Sequence, residues 1–368
     1  MKRFFEHAKN GALTLPINIY SVAVFSLLLV GLSFAINIAS LTFYLDDWPK
    51  IYSYVVHGAE GIKTYWTYDD RPYGWWTDLL LFKIWGTNPI FWHLSTYLFR
   101  WFVGLGLWGV FSLIWPFNKR EVFWVVLLFS VYPLFNQQSM GVTFNYLWIC
   151  YVLFFLSMYL MVLAVKKPKY KLVLLAASLL VNIPSLFTQE YYIGIEFIRP
   201  LILWLAMDDK PARYRLKRVL SFWSPFLLTA IFYIIWRVFL MENIRGLDPD
   251  FFTYLAKSPL STLLQLINFI LRDALHVVLG VWTPTVDPAN IDITVPSKLF
   301  GMILTALAAG SLSFFFLRES KRTSETANSP QKTFLFQSTT IGIIGILLGC
   351  LPGWLVMRSV SSDSGIWN

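Results

Sequence analysis

The chain has 368 residues, of which 57% are hydrophobic, 18% aromatic and only 14% charged, whereas soluble domains carry about 25% charged residues. This composition excludes an ordinary soluble domain, and the continuous apolar runs exclude a β-barrel, whose strands are short and alternate. The formal net charge of +9 does not indicate nucleic acid binding, because the basic residues fall between apolar runs, as in membrane proteins with basic inner loops. We predict an all-α polytopic membrane protein.

Nine apolar runs are predicted to span the membrane. The first is too long for a signal peptide, and no small-residue cleavage site follows it, so we expect it to be retained as a signal anchor. Cys150 and Cys350 lie inside apolar runs and are interpreted as packing residues. The predicted spans are roughly 18–44, 90–115, 121–135, 142–165, 170–187, 190–207, 219–241, 298–317 and 334–357.

The basic residues predict the orientation. With a cytoplasmic N-terminus (1–17), 18 Lys and Arg fall in the inner segments and 8 in the longer outer ones. The excess of inner basic residues exists only if segment 260–283 does not cross the membrane. We therefore expect this segment on the outer interface or as a re-entrant helix. The resulting transmembrane domain, 18–357, is multi-pass and is expected in a prokaryotic plasma membrane. Its large outer loops are 44–89 and 242–297, and an outer tail follows at 358–368.

The first outer loop begins with adjacent carboxylates, Asp46 and Asp47, and its apolar spacing predicts two amphipathic helices. A carboxylate at the end of a span is half in low dielectric, so its pKa can rise until it serves as a base towards a hydroxyl. The alternative is that the pair caps the following helix. Consecutive side chains do not aim the same way, so we expect one catalytic and one structural aspartate.

Arginines in and near the outer loops are candidate phosphate ligands, because a guanidinium binds phosphate in a bidentate clasp. Arg71 lies in the first outer loop and Arg237 near the outer end of the seventh predicted span. A base and a phosphate clamp at a membrane surface suit glycosyl transfer from a lipid-phosphate donor. Charges inside the predicted spans, at Arg100, Glu196 and Arg199, are functional candidates, with a structural ion pair as the alternative for the last two.

The order of "YLDDW", "DDRPYG" and "GTNPIFWHLSTYLFRWFVGLGLWGVF" resembles the C-type (GT-C) glycosyltransferases, which include the protein O-mannosyltransferases, the aminoarabinose transferases of lipid A and the O-antigen glucosyltransferases. The resemblance implies a GT-C-like bundle of about nine transmembrane helices with amphipathic helices in two large outer loops. It also implies roles for particular residues: Asp46 or Asp47 as the base, Arg71 and Arg237 as donor-phosphate ligands, and Glu190 of "FTQEYY" as a further site residue. Many members have more spans or an outer C-terminal domain, which leaves residues that complete the lipid site in doubt.

The expected activity is transfer of a sugar from a polyprenyl-phosphate donor to a glycan, lipid or protein acceptor on the outer face. Asp69 and Asp70 are expected to assist the substrate or to hold a divalent cation, Mg²⁺ or Mn²⁺, and the need for a metal stays open. The rival interpretation is a transporter or lipid flippase of the cell-envelope glycan pathway. Only the charges inside the predicted spans favour it, since no internal repeat is visible.

Overall fold

A computed structural model describes most of the chain, and the described residues contain helices with no strand among them. The predicted all-α class is therefore confirmed. The predicted N-terminal segment, nearly all of the tail and most of the inner loop 318–332 lie outside the described residues. The structure describes residues 17–35, 38–133, 139–207, 211–242, 244, 251–283, 296–317 and 328–360.

The α-helices are numbered in chain order. In this numbering they are α1 Ile19–Val30, α2 Asp47–Tyr68, α3 Trp75–Trp85, α4 Pro89–Ile114, α5 Lys119–Ser130, α6 Gly141–Lys166, α7 Lys171–Thr188, α8 Tyr192–Glu196, α9 Arg199–Ala206, α10 Ala212–Ile235, α11 Phe251–Lys257, α12 Pro259–Val278, α13 Pro296–Leu317 and α14 Asn328–Leu355. Wider π-helical turns extend α1 over Gly31–Ala35 and α10 over Trp236–Leu240.

Six helical stretches of the described chain are long and apolar enough to cross a bilayer, which needs about 20 residues. This is the character of an integral membrane protein. The six are Ile19–Ser40, Pro89–Ile114, Gly141–Lys166, Pro168–Thr188, Ala212–Leu240 and Thr333–Leu355.

The other three predicted spans are not among these six stretches. In the region 121–135, α5 has 12 residues, which gives a length of about 18 Å. The region 190–207 holds two short helices, α8 and α9, instead of one long one. In the region 298–317, α13 is one helix of 22 residues, Pro296–Leu317, within which Met302–Ser311 forms a shorter apolar stretch. Six of the nine predicted spans are therefore present as helices long and apolar enough to cross a bilayer in the part of the chain that the structure describes.

Local capping signals set where two spans begin. Asn18 accepts hydrogen bonds from the backbone N–H groups of Tyr20 and Ser21, and the Ser21 hydroxyl accepts one from the Asn18 N–H, which completes a capping box at α1. At α4, the Asn88 side chain accepts from the Ile90 N–H, and Pro89 occupies the first helical position.

Two charges inside the bundle neutralise each other. Arg199 donates to both oxygens of Glu196, at 2.6 and 3.0 Å, and to Asn182, and all three side chains are buried. The rings of Phe154 and Phe226 cover its guanidinium. The predicted ion pair is confirmed, and this enclosure favours the structural role for it.

The first large loop is built by α2 and α3. Gly58, with φ 60° and ψ −142°, breaks α2, a conformation that other residues adopt only with strain. The two halves of α2 fold towards each other, so that Lys50 Nζ lies 4.3 Å from the centre of a Trp66 ring. Both predicted helices are present, and they pack against each other in a small apolar core of their own, in which Tyr54 stacks on Phe82 and Trp66 is buried.

In the second large loop, segment 260–283, which was expected on the outer interface or as a re-entrant helix, contains the amphipathic helix α12. Its buried residues are Thr262 and Asp273. Its opposite face exposes a continuous apolar stripe, formed by Leu260, Leu264, Ile267, Leu271 and Leu275.

Candidate functional site

The two aspartates that follow the first span have different surroundings. Asp47 is fully buried, and its Oδ1 accepts hydrogen bonds from the Val142 N–H at 3.0 Å, the Thr143 N–H at 2.7 Å and the Thr143 hydroxyl at 2.9 Å. Asp46 is exposed and makes no side-chain cap. The surroundings of Asp47 are those of a structural residue, and Asp46 is the member of the pair that a substrate can reach.

Asp47 caps a helix, but not the one expected. We predicted that the structural aspartate would cap α2, whereas Asp47 binds the second and third N–H groups of α6. The N-cap position of α6 is Met140, whose side chain accepts no capping hydrogen bond, so Asp47 supplies the missing acceptor. Burial raises the pKa of Asp47, and the hydrogen bonds from residues 44, 142 and 143 oppose that rise.

A second buried carboxylate lies beside Asp47 and was missed by sequence reasoning. Asp78 Oδ2 lies 3.0 Å from Lys50 Nζ and accepts a hydrogen bond from Trp66 Nε1 at 2.8 Å, and both members of the ion pair are buried. Burial raises the pKa of Asp78, and the charge of Lys50 opposes that rise. The available signal was a charge within an apolar run, Asp78 in "WWTDLLLF".

Arg71 is positioned by the turn that ends α2. The Arg71 N–H bonds the Trp66 carbonyl at 3.0 Å and the Asp70 N–H bonds the Thr67 carbonyl at 3.1 Å, the pair of bonds that defines a Schellman motif. Asp70 holds the left-handed position, with φ 57°, that glycine usually takes. Asp tolerates this conformation better than most residues.

The guanidinium of Arg71 is bound by two carboxylates. Its Nε and Nη2 donate to the two oxygens of Glu190 at 3.0 and 2.7 Å, and its Nη1 donates to Asp69 at 2.6 Å. All three side chains are partly exposed. Burial alone would raise the pKa of Glu190, but the charge and hydrogen bonds of Arg71 outweigh it and hold that pKa below its ordinary value.

Arg237 reaches the same turn from the end of the Ala212–Leu240 stretch. Its Nη1 donates to the main-chain carbonyl of Asp70 at 2.7 Å and lies 2.6 Å from Met241 Sδ. The carboxylate of Asp70 accepts the Ile244 N–H at 2.7 Å, which ties the start of the second large loop to the first. The structure therefore brings together Asp69, Asp70, Arg71, Glu190 and Arg237, five of the seven predicted site residues.

Trp66 connects the buried pair around Lys50 to the turn that carries Arg71. Its Nε1 donates to Asp78, its carbonyl accepts the Arg71 N–H, and Tyr146 packs edge-on against its ring and lies 5.1 Å from Lys50 Nζ. Because α2 folds back at Gly58, its two ends lie on the same side of the loop.

A groove of about 640 Å³ opens beside this cluster, and its lining is almost entirely apolar. It runs along α7 towards α3, and Trp76 Nε1 donates to Thr188 Oγ1 at 3.0 Å at one of its edges. Tyr73 and Thr188 line it, each two residues from Arg71 or Glu190. The other lining residues are Trp75, Trp76, Leu153, Leu180, Val181, Ile183, Pro184 and Phe187.

Asp69 and Asp70 were considered as ligands of a divalent cation, with the need for a metal left open. Within the part of the chain that the structure describes, no three His, Cys, Asp or Glu side chains come together to hold a metal ion. Asp69 binds Arg71 instead, and Asp70 binds a backbone N–H.

Comparison with known protein families, with curated proteins and with solved structures finds no match to this chain. The functional assignment therefore rests on the sequence and on the geometry described above.

Proposed function

We propose that the chain is a membrane glycosyltransferase of the GT-C type, which transfers a sugar from a polyprenyl-phosphate donor to an acceptor hydroxyl on the outer face. One observation carries the proposal: Arg71 and Arg237 meet at one turn beside an apolar groove. A phosphate attached to an isoprenoid chain needs both features, fixed cations for its head and an apolar surface for its tail.

The arginine cluster would stabilise the leaving group. Arg71 keeps its two-point contact with Glu190, and a donor phosphate oxygen takes the place of Asp69 at Nη1. The phosphate leaves already ionised, so it needs positive charge rather than a proton. When the bond from the anomeric carbon to the phosphate oxygen breaks, its electron pair stays on that oxygen.

Asp46 is the base in this proposal, because Asp47 is buried and its oxygens are occupied. The Asp46 carboxylate takes the proton of the acceptor hydroxyl as the acceptor oxygen attacks the anomeric carbon on the face opposite the phosphate. One carbon–oxygen bond forms as another breaks, so the configuration inverts. No step is assigned to a metal ion.

The transport alternative has weaker support. Glu196 and Arg199, which favoured it, are bound to each other and enclosed by aromatic rings. Arg100 lies against the ring of Phe34 and donates to the main-chain carbonyl of Tyr132. These local contacts favour packing roles.

The test is transfer by the purified protein in lipid nanodiscs, supplied with radiolabelled polyprenyl-phosphate sugars and a panel of glycan, lipid and protein acceptors. We expect Arg71→Ala to lower transfer by about 10²–10³-fold, the range for loss of a charge-stabilising donor. Lys63→Ala is the matched control, because Lys63 forms an exposed pair with Glu60 on the same helix. Transfer by Arg71→Ala at the parent rate would overturn the proposal.

A further inference from the structure

The two long helices that reach the candidate site begin at the other end of the bundle. α7 starts at Lys171 and ends at Thr188, which lines the groove, and its 18 residues cover about 27 Å. α10 starts at Ala212, and its π-helical extension carries Arg237. The starts of both helices therefore lie far from the cluster around Arg71.

Basic residues gather at this far end, in segments 166–171 and 213–218. Two of them hold the end of α9. Lys166 Nζ donates to the Ala206 carbonyl at 2.8 Å, and Arg215 Nη2 donates to the Trp204 carbonyl at 2.9 Å. The last carbonyls of a helix have no partner within it, so these two cations have a structural role there.

Lys171 and Arg218 converge on one aromatic ring instead. Lys171 Nζ lies 4.5 Å, and the central guanidinium carbon of Arg218 lies 5.4 Å, from the centre of the Phe222 ring. Phe222 is fully buried, whereas both cations are half-buried and reach the surface. A ring attracts a cation but does not neutralise its charge, so two positive charges from neighbouring helices lie side by side.

No carboxylate balances these two charges in the part of the chain that the structure describes, because neither side chain forms an ion pair there. In the described ranges 139–207 and 211–241 the acidic residues are Glu190 and Glu196, and both bind arginines elsewhere. Two like charges held at one ring repel each other, and an anion between them would relieve that repulsion.

The polar groups around the Phe222 ring can all donate hydrogen bonds. Arg218 Nη1 donates to the Tyr214 hydroxyl oxygen at 2.7 Å, which leaves the hydroxyl hydrogen of Tyr214 to be donated to a further group. The Lys171 ammonium makes no hydrogen bond to the described residues, so its N–H groups can also bind a ligand. Donors of this kind, two of them charged, suit a phosphate.

Apolar side chains continue from these cations along both helices. Leu172 and Val173 of α7 and Leu220 of α10 are exposed. Both helices belong to candidate membrane spans, so these side chains face lipid chains. A free phosphate would use the cations alone, whereas a phospholipid would contact the cations with its headgroup and the apolar side chains with its chains.

We propose that Lys171, Arg218 and Tyr214 form a binding site for the phosphate of an anionic phospholipid, whose acyl chains lie along α7 and α10. This inference does not rest on the proposed glycosyl transfer, because the site lies at the opposite end of the bundle. Basic residues near a membrane surface also attract anionic lipids in general. General attraction depends on the number of charges, whereas a built site depends on which cation is removed.

The test counts the lipids bound to the full-length protein in a non-ionic detergent by native mass spectrometry. The probes are phosphatidylglycerol and phosphatidylcholine with identical chains, and the parent should hold phosphatidylglycerol more tightly. Arg218→Gln should weaken phosphatidylglycerol binding by about ten-fold or more, the range for loss of a charge-assisted hydrogen bond. Lys171→Gln should weaken it as well, and Arg218→Lys should recover part of the affinity. Binding of phosphatidylcholine should not change.

Lys217→Gln is the matched control, because it removes the same charge from an exposed side chain next to Arg218. It should keep the parent affinity, and equal losses in Lys217→Gln and Arg218→Gln would overturn the site in favour of general attraction. Equal binding of the two lipids by the parent would overturn it too. Phosphatidylglycerol should also raise the melting temperature of the parent more than that of Arg218→Gln, which identifies any variant that fails to fold.

Two further arms exclude other ligands and other places. Each variant is repeated in Arg71→Ala protein, so that a lipid phosphate held at the candidate site does not contribute. The difference between Arg218→Gln and Lys217→Gln should persist there, and its disappearance would overturn the location of the site. Displacement of phosphatidylglycerol by inorganic phosphate at the same concentration would overturn the lipid as the source of the phosphate.

Discussion

Replacement of Asp47 tests whether the buried aspartate is a structural cap. Asp47→Ala removes the acceptor of the Val142 and Thr143 N–H groups and leaves both buried at the start of α6. Each buried donor left without a partner costs about 1–3 kcal/mol of stability. Removal of the buried carboxylate charge offsets part of that loss. We expect a net loss of about 3 kcal/mol in the free energy of unfolding.

Asp47→Asn should lose only about 1 kcal/mol, because an amide oxygen can still accept from α6 and Asn caps about as well as Asp. Its amino group would face the Tyr44 N–H, which now donates to Asp47 Oδ2 at 3.2 Å. Asp46→Ala is the matched control and should change stability by less than about 0.5 kcal/mol, since Asp46 is exposed.

The assay is denaturant unfolding in detergent, combined with hydrogen exchange of peptides that contain residues 141–145. Asp47→Ala should speed exchange at the first turn of α6 and leave α10 unchanged. Equal unfolding midpoints for Asp47→Ala and the parent, or an equal loss in Asp46→Ala, would refute the capping argument.

Four further predictions follow from other parts of the structure. Asp46→Asn should lower sugar transfer by about 10²–10⁴-fold, the range for loss of a general base, whereas Asp47→Asn should keep the parent rate per folded molecule; equal rates for Asp46→Asn and the parent would rule out this base. Gly58→Ala should lower stability by about 1–2 kcal/mol because of its positive φ, with Gly31→Ala, where a Cβ meets open space, as a control that should not lose stability. The folded-state pKa of Glu190 is lowered, so the contribution of its charge to stability is complete above its ordinary pKa of 4.5 and is lost as the pH falls through the lower folded value. The stability difference between the parent and Glu190→Gln in pH-dependent unfolding should therefore shrink below about pH 4.5, and a constant difference would contradict this. A cysteine at Ser329 should resist an impermeant thiol reagent in intact cells, and ready labelling would reverse the proposed orientation.

The composition and the length of the apolar runs were sufficient for the all-α membrane class of the protein and for six of its long helices. Six of the apolar runs predicted as spans are long apolar helices in the structure, and segment 260–283, which the basic residues placed on the outer interface or as a re-entrant helix, contains the amphipathic helix α12. The start of α4 depends only on local residues, because Asn88 caps the helix within its first turn. These features depend on neighbours three or four residues away, which the sequence displays directly.

The tertiary structure decided which charges meet. Asp47 binds a backbone 96 residues away, and Arg71 binds Glu190 at a separation of 119 residues. The pattern around "LDDW" could not say which aspartate would be buried, because the partner of Asp47 is the uncapped start of α6 rather than α2. The same holds for the pair of Lys50 with Asp78. The partner of a charged side chain depends on which distant backbone and side-chain groups packing brings next to it. The helical repeat relates only residues three or four positions apart, so it carries no information about how close such distant groups lie in space.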